Sequence, residues 1–165
     1  MGRSVIRGIQ DEKVLACGKH FPGHGDTHQD SHKTLPKVDR TLEELEAVEW
    51  VPFKGAVDQG VAALMIAHLN IPSLEPTGKP TSLSRTVITD ILRNKWGYNG
   101  LVITDALNMK GVSEFAPPGE LELAAFAAGN DILLFPMDVP KATKAFIEAA
   151  STDAISGREL KIRVR

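Results

Sequence analysis

Four short apolar runs, residues 14–17, 62–67, 101–104 and 131–135, return at intervals along this 165-residue chain. Each is too short for an ordinary helix and almost continuously apolar. That is the pattern of parallel strands covered on both faces. Helical patterns fill the gaps, so the order reads αβ-αβ-αβ-αβ-α. Strands that alternate with helices imply a parallel sheet with right-handed crossovers. The expected fold class is therefore α/β, with four βα units and no low-complexity linker between them.

The helices announce their own ends. Thr41 and Glu44 form a capping box ahead of Leu42, Leu45 and Val48, with Pro52 as the point of a kink or restart before Phe53 and Val57. Val87, Ile88, Ile91, Leu92 and Trp96 make a second apolar face, stopped by Gly97. Residues 121–128 make a third, ended by Gly129, and residues 141–150 a fourth. Val5, Ile6 and Ile9 read as the end of an earlier helix.

Bulk chemistry excludes several function classes. The net charge is −2 with no dense Lys/Arg run, which points away from nucleic acid and anionic membrane surfaces. No segment has the roughly 18 consecutive apolar residues of a membrane span, and Met1–Ser4 leads into an ordinary amphipathic stretch with no visible signal peptide. Cys17 is the single cysteine and, placed in an apolar strand, is expected to be a buried, inert thiol.

Each run is followed by polar residues: Lys19-His20, His68 with Asn70, Asp105 with Asn108, and Asp138. Polar groups at the C-terminal ends of parallel strands mark the functional face of a TIM barrel, and a doubly wound sheet places them similarly. The richest such stretch is 19–32, which holds four of the five histidines, Asp26 and Asp30, Pro22, Gly23 and Gly25. Proline and glycine make it a loop. Within it, Asp30 stands two residues before His32, and a carboxylate so placed can hold one ring nitrogen and raise the basicity of the other. Asp105 closes a buried strand, where it is either a nucleophile or base, or an N-cap for the next segment of the chain. Lys19 and His20 offer donors to hydroxyl groups. His68 either lines a pocket or satisfies the rim of the sheet. His20, His24, His28 and His32 recur every four residues, a metal-binding spacing on a helix, but Pro22, Gly23 and Gly25 oppose a helix there, so no metal is expected.

The residues that carry these readings resemble glycoside hydrolase family 3, and in particular its bacterial β-N-acetylglucosaminidase branch. Residues 19–36 match its K-H-F-P-G-H-G-D-T-x-x-D-S-H-x-x-L-P signature without a gap, residues 104–109 match its Asp-bearing strand end, and residues 67–72 match A-H-x-x-x-P. The resemblance implies a (β/α) TIM-type barrel of which residues 1–165 supply the second half as one partial catalytic domain. It implies a retaining hydrolase of terminal β-linked N-acetylglucosamine, such as occurs in peptidoglycan fragments; the alternatives are an inactive or carbohydrate-binding fragment of such an enzyme, or a β-glucosidase of the same family. It assigns Asp105 as nucleophile, His32 as acid/base and Asp30 as its partner, with Lys19, His20, His24, Asp26, His68 and Met109 on the substrate. No cofactor is implied. The first half of the family's barrel supplies further sugar-gripping residues, so the implied partner is either that complementary half or a second copy. A bacterial cytoplasm and a cell envelope fit equally.

Overall fold

The computed structural model describes residues 1–25 and 34–152, together with Ile155 and Leu160. Three parallel strands carry the fold: β1 (Cys17–Phe21), β2 (Ala63–Ile66) and β3 (Leu101–Thr104), ordered β1-β2-β3. Ala63 pairs with both Cys17 and Leu101, so the strands start level. Gly18 lets β2 approach, because a Cβ there would lie 2.8 Å from Leu64 Cδ2. The register of β1 shifts between Gly18 and Phe21, and the Lys19–His20 and Phe21–Pro22 peptide bonds are cis.

Helices alternate with the strands as their sequence patterns require. They are α1 (Gly2–Asp11), α2 (Leu42–Ala47), α3 (Trp50–Asp58), a π-helix (Thr86–Lys95), α4 (Lys110–Ser113), α5 (Glu120–Ala128) and α6 (Val139–Ser151). The capping box forms: Glu44 N–H donates to Thr41 Oγ1 at 3.2 Å and Thr41 N–H to Glu44 Oε2 at 2.8 Å. The chain restarts at α3, and Pro52 falls in its first turn, where a missing N–H costs nothing. Gly129 ends α5 at φ +123°, where a Cβ would also meet Thr89 and Ile88 within 3 Å. Asp138 caps α6 by accepting from Lys141 N–H.

The main core lies between the strands and the helices packed on them. Phe21, Trp50, Leu64, Ile66, Ile88, Leu92 and Val102 are fully buried there. Its densest part is aromatic: Trp50 and Trp96 meet edge-on with centroids 5.2 Å apart, and Phe21 touches both. A second cluster, built on Leu83, Leu107, Leu121 and Ala125, supports the loops that follow β3.

Three expectations are corrected. The first strand starts three residues later than the apolar run: Val14 and Leu15 are 58% and 69% exposed, and Lys19 and His20 lie inside β1, not beyond it. Val14 and Leu15 belong to the connection leaving α1, where Val14 N–H bonds Ile9 O, and not to the sheet. Cys17, the first residue of β1, is exposed, although partial burial still pushes its thiol pKa up. The run 131–135 makes only one parallel bridge, Ile103 to Ile132. There, side chains intercept ladder bonds. Val102 N–H donates to Asp131 Oδ2 and Leu134 N–H to Thr104 Oγ1, and Phe135 turns away at φ +47°.

Asp131 therefore does the work of a strand partner. It also receives the Arg93 guanidinium, which binds the carbonyls of Tyr98 and Gly100 as well. Replacing Asp131 by Ala strands a half-buried cation and a backbone donor together. A loss of about 3 kcal/mol is expected, on the scale of charge-assisted bonds broken from one side. Urea unfolding checks it, and a midpoint unchanged from the parent would contradict it.

Candidate active site

The site forms where the C-terminal ends of β1 and β3 flank β2. His20 is the fourth residue of β1, and Asp105 directly follows β3. The Asp105 N–H donates to Ile66 O at 2.8 Å, so the β-pairing continues up to the residue itself. His20 Nε2 stands 3.8 Å from Asp105 Oδ2. The other carboxylate oxygen, Oδ1, accepts the Ala106 N–H at 2.9 Å. The Asp105 side chain is 15% exposed, enough for one oxygen to meet a ligand. Asp105 is not a helix cap, because α4 begins after Met109. Of the two readings open from the sequence, the N-cap is thereby removed.

Burial holds the His20 pKa below its ordinary value. The Asp105 carboxylate opposes that, and the Lys19 and His24 charges add to it. A neutral His20 can accept from or donate to a sugar hydroxyl. His24 packs edge-on against His20 with ring centroids 5.9 Å apart. Lys19, His20 and His24 line an open cleft of about 1160 Å³, together with Val5, Ile6 and Phe53. Asp105 is not part of its lining, although His20, which is, stands 3.8 Å from it.

His68 and Met109 sit deeper than expected. His68 is 1% exposed, with Nδ1 2.7 Å from Ser82 Oγ and Nε2 3.1 Å from Ala106 O. Both ring nitrogens are engaged, so it supports the loop under Asp105 and does not line an open pocket. Met109 is buried too, packed as the residue before α4. Asp26, Asp30 and His32 lie outside the described residues, as does His28. Among the described residues no group of three His, Cys, Asp or Glu side chains could hold a metal ion, and His20 lies in a strand, where a four-residue helical repeat has no meaning. No described helix is long and apolar enough to cross a membrane.

The supporting residues are not visible in the sequence. Ser82 lies in the 3-10 turn Thr81–Leu83, and its carbonyl accepts from Asn130 Nδ2 while its hydroxyl meets His68. Thr81 Oγ1 bonds Ala67 O at 2.7 Å. Pro80-Thr81-Ser82 signals a turn, but nothing in its spacing points to His68.

Burial also lowers the His68 pKa, against the opposing effects of the Ala106 carbonyl and Asp105. Both His20 and His68 therefore take up protons less readily folded than unfolded, where the ordinary value is about 6.5. As pH falls through that value the unfolded chain binds protons first, and stability is lost down to the folded-state values. Urea midpoints should drop between about pH 7.5 and 5.5, and His68→Gln should flatten the drop. An equal slope in both proteins would contradict this reading.

Polar side chains gathered at the C-terminal ends of parallel strands, with helices between the strands, define the functional face of a TIM-barrel-type α/β protein. The chain belongs to the Glycosyl hydrolase family 3 N terminal domain family, whose pattern it matches over residues 1–165. It is 34% identical over 150 residues to the beta-hexosaminidase A of Pseudoalteromonas piscicida, covering 84% of this chain and 25% of that protein. It is 37% identical over 134 residues to a beta-hexosaminidase of Chromobacterium violaceum, covering 81% of this chain and 37% of that one. Its fold superposes with a TM-score of 0.93 and 40% identity on a glycoside hydrolase family 3 beta-N-acetylglucosaminidase from Paenibacillus sp. str. FPU-7, covering 98% of this chain and 31% of the other. The chain thus spans between a quarter and two fifths of the length of these relatives. The architecture is a partial (β/α) barrel.

Proposed function

We propose that this chain is the nucleophile-bearing part of a retaining β-N-acetylglucosaminidase acting on cell-wall fragments. The observation that carries the reading is the pairing of Asp105 with His20, 3.8 Å apart at the ends of two strands that are not neighbours. Its family membership supports the same chemistry. Retaining hydrolysis needs a nucleophile and a separate proton donor. In this reading Asp105 Oδ2 attacks the anomeric carbon, forming the glycosyl–enzyme bond. The leaving oxygen takes the His32 proton. His32 then draws a proton from water, whose oxygen displaces Asp105 and restores both groups. Asp30 holds His32 in the required tautomer. Lys19, His20, His24 and Asp26 bind sugar hydroxyls. The remaining sugar contacts come from a complementary N-terminal half-barrel, or from a second copy.

The purified chain is assayed on a chromogenic β-N-acetylglucosaminide beside the matching β-glucoside, with the anomer of the first-formed sugar followed by NMR. Faster release from the N-acetyl substrate, with the β anomer appearing first, is the expected result. Appearance of the α anomer first would refute the mechanism. Preference for the glucoside would move the chain to that branch of the family.

A further inference from the structure

Ala106 is held at both ends of its backbone. Its N–H donates to Asp105 Oδ1 at 2.9 Å, and its carbonyl oxygen lies 3.1 Å from His68 Nε2. A carbonyl only accepts, so Nε2 carries the proton. On the other side of the ring, Nδ1 meets the Ser82 hydroxyl at 2.7 Å, and a hydroxyl can donate to it. Ser82 is itself fully buried, and its own carbonyl is fixed by Asn130. One buried ring therefore joins the end of β2 and the 3-10 turn to the peptide after Asp105. The titratable groups facing it are Asp105 and His20.

We propose that His68 is a positioning residue for Asp105. By holding the Ala106 carbonyl it keeps the Ala106 N–H on Oδ1, and so leaves Oδ2, on the His20 side, as the free carboxylate oxygen. This gives the two oxygens different tasks: one anchored, one available. A carboxylate free to rotate would present either oxygen, and reactions lose rate steeply when the attacking atom is not held in place. The proposal rests on Asp105 being the nucleophile only for its effect on turnover. The clamp itself is a structural claim and is tested without turnover.

Three variants separate the outcomes. His68→Gln places an N–H donor near the Nε2 position, His68→Asn reaches only to Nδ1, and Ser82→Ala keeps the ring but removes the partner of Nδ1. In the parent chain, two-bond proton–nitrogen NMR of the imidazole should show His68 protonated at Nε2. Exchange of the Ala106 amide hydrogen should rise about tenfold in His68→Asn, the scale of one lost hydrogen bond. It should stay within about threefold of the parent in His68→Gln. The Ile132 amide, bonded to Val102 O on the same sheet, reports general loosening and should move equally in both variants. If His68→Asn does not fold, Ser82→Ala carries the test, with raised Ala106 exchange and a mixture of ring tautomers expected. A ring protonated at Nδ1 in the parent would overturn the proposal, as would Ala106 exchange that tracks Ile132 in every variant. Turnover by Asp105→Asn at the parent rate would instead overturn the nucleophile assignment and leave the clamp standing.

Discussion

Replacing Asp105 by Ala should lower turnover of an activated β-N-acetylglucosaminide on the order of 10⁴-fold, the scale of removing a covalent nucleophile. The physical reason is that no other described carboxylate stands beside it. His20 is the near neighbour, at 3.8 Å from Oδ2, and it is held toward its neutral form by burial. A histidine so placed supplies neither the negative charge nor the attacking oxygen. The variant also leaves a small void where Oδ1 and Oδ2 were. Azide added at high concentration should enter that void and attack the anomeric carbon from the same side. The leaving group departs with the bonding electrons, and an α-glycosyl azide forms. Detection of that azide product, absent in the parent, marks Asp105 as the displaced nucleophile. Activity within about tenfold of the parent would sink the assignment. His32→Ala tests the other half: a good leaving group needs no proton, so activated substrates should suffer far less than unactivated ones.

Trp50→Ala should cost about 4 kcal/mol of folding stability, the middle of the range for a buried aromatic truncated to Ala. Total stability of a domain is about 5–15 kcal/mol, so this one change removes a large part of it. Trp50 is fully buried, sits 5.2 Å from the Trp96 ring and stacks near Phe21, with Lys54 above both indoles. The effect should reach the site, because Phe21 follows His20 in β1. Near-ultraviolet circular dichroism and urea unfolding read it out. Val51→Ala is the control: it points to solvent from the next position of the same helix and should shift stability by less than about 0.5 kcal/mol. Equal losses in the two variants would mean that the aromatic cluster does not hold this half of the core.

Much of the fold is legible in the chain because it depends on local pattern. Capping chemistry at Thr41 and Glu44, the stops at Gly97 and Gly129, and the apolar run 101–104 each act through near neighbours, and each appears where the residues require. The runs 14–17 and 131–135 mislead because a strand is defined by its partners. Val14 and Leu15 have apolar side chains but lie in the connection between α1 and β1, outside the ladder. Residues 131–135 lie beside β3, yet Asp131 and Thr104 divert the backbone donors that a ladder would use.

The same division runs through the site. Asp105 and His20 stand out as polar groups near the ends of apolar strands, and their chemistry can be named without their positions. That they meet at 3.8 Å across an intervening strand depends on strand order and register. Residue identity alone specifies neither. His68 shows the contrast most sharply. Its sequence surroundings allow either a pocket or the rim, and only the crossing of β2, the 3-10 turn and the loop after β3 decides that its ring is buried with both nitrogens bonded. The sequence by itself determined the αβ alternation, the helix ends and which side chains can do chemistry, because these depend on backbone propensity and functional groups. The tertiary structure alone decided which of those groups face one another, which are buried, and which carboxylate oxygen is left free, because those depend on contacts between residues far apart in the chain.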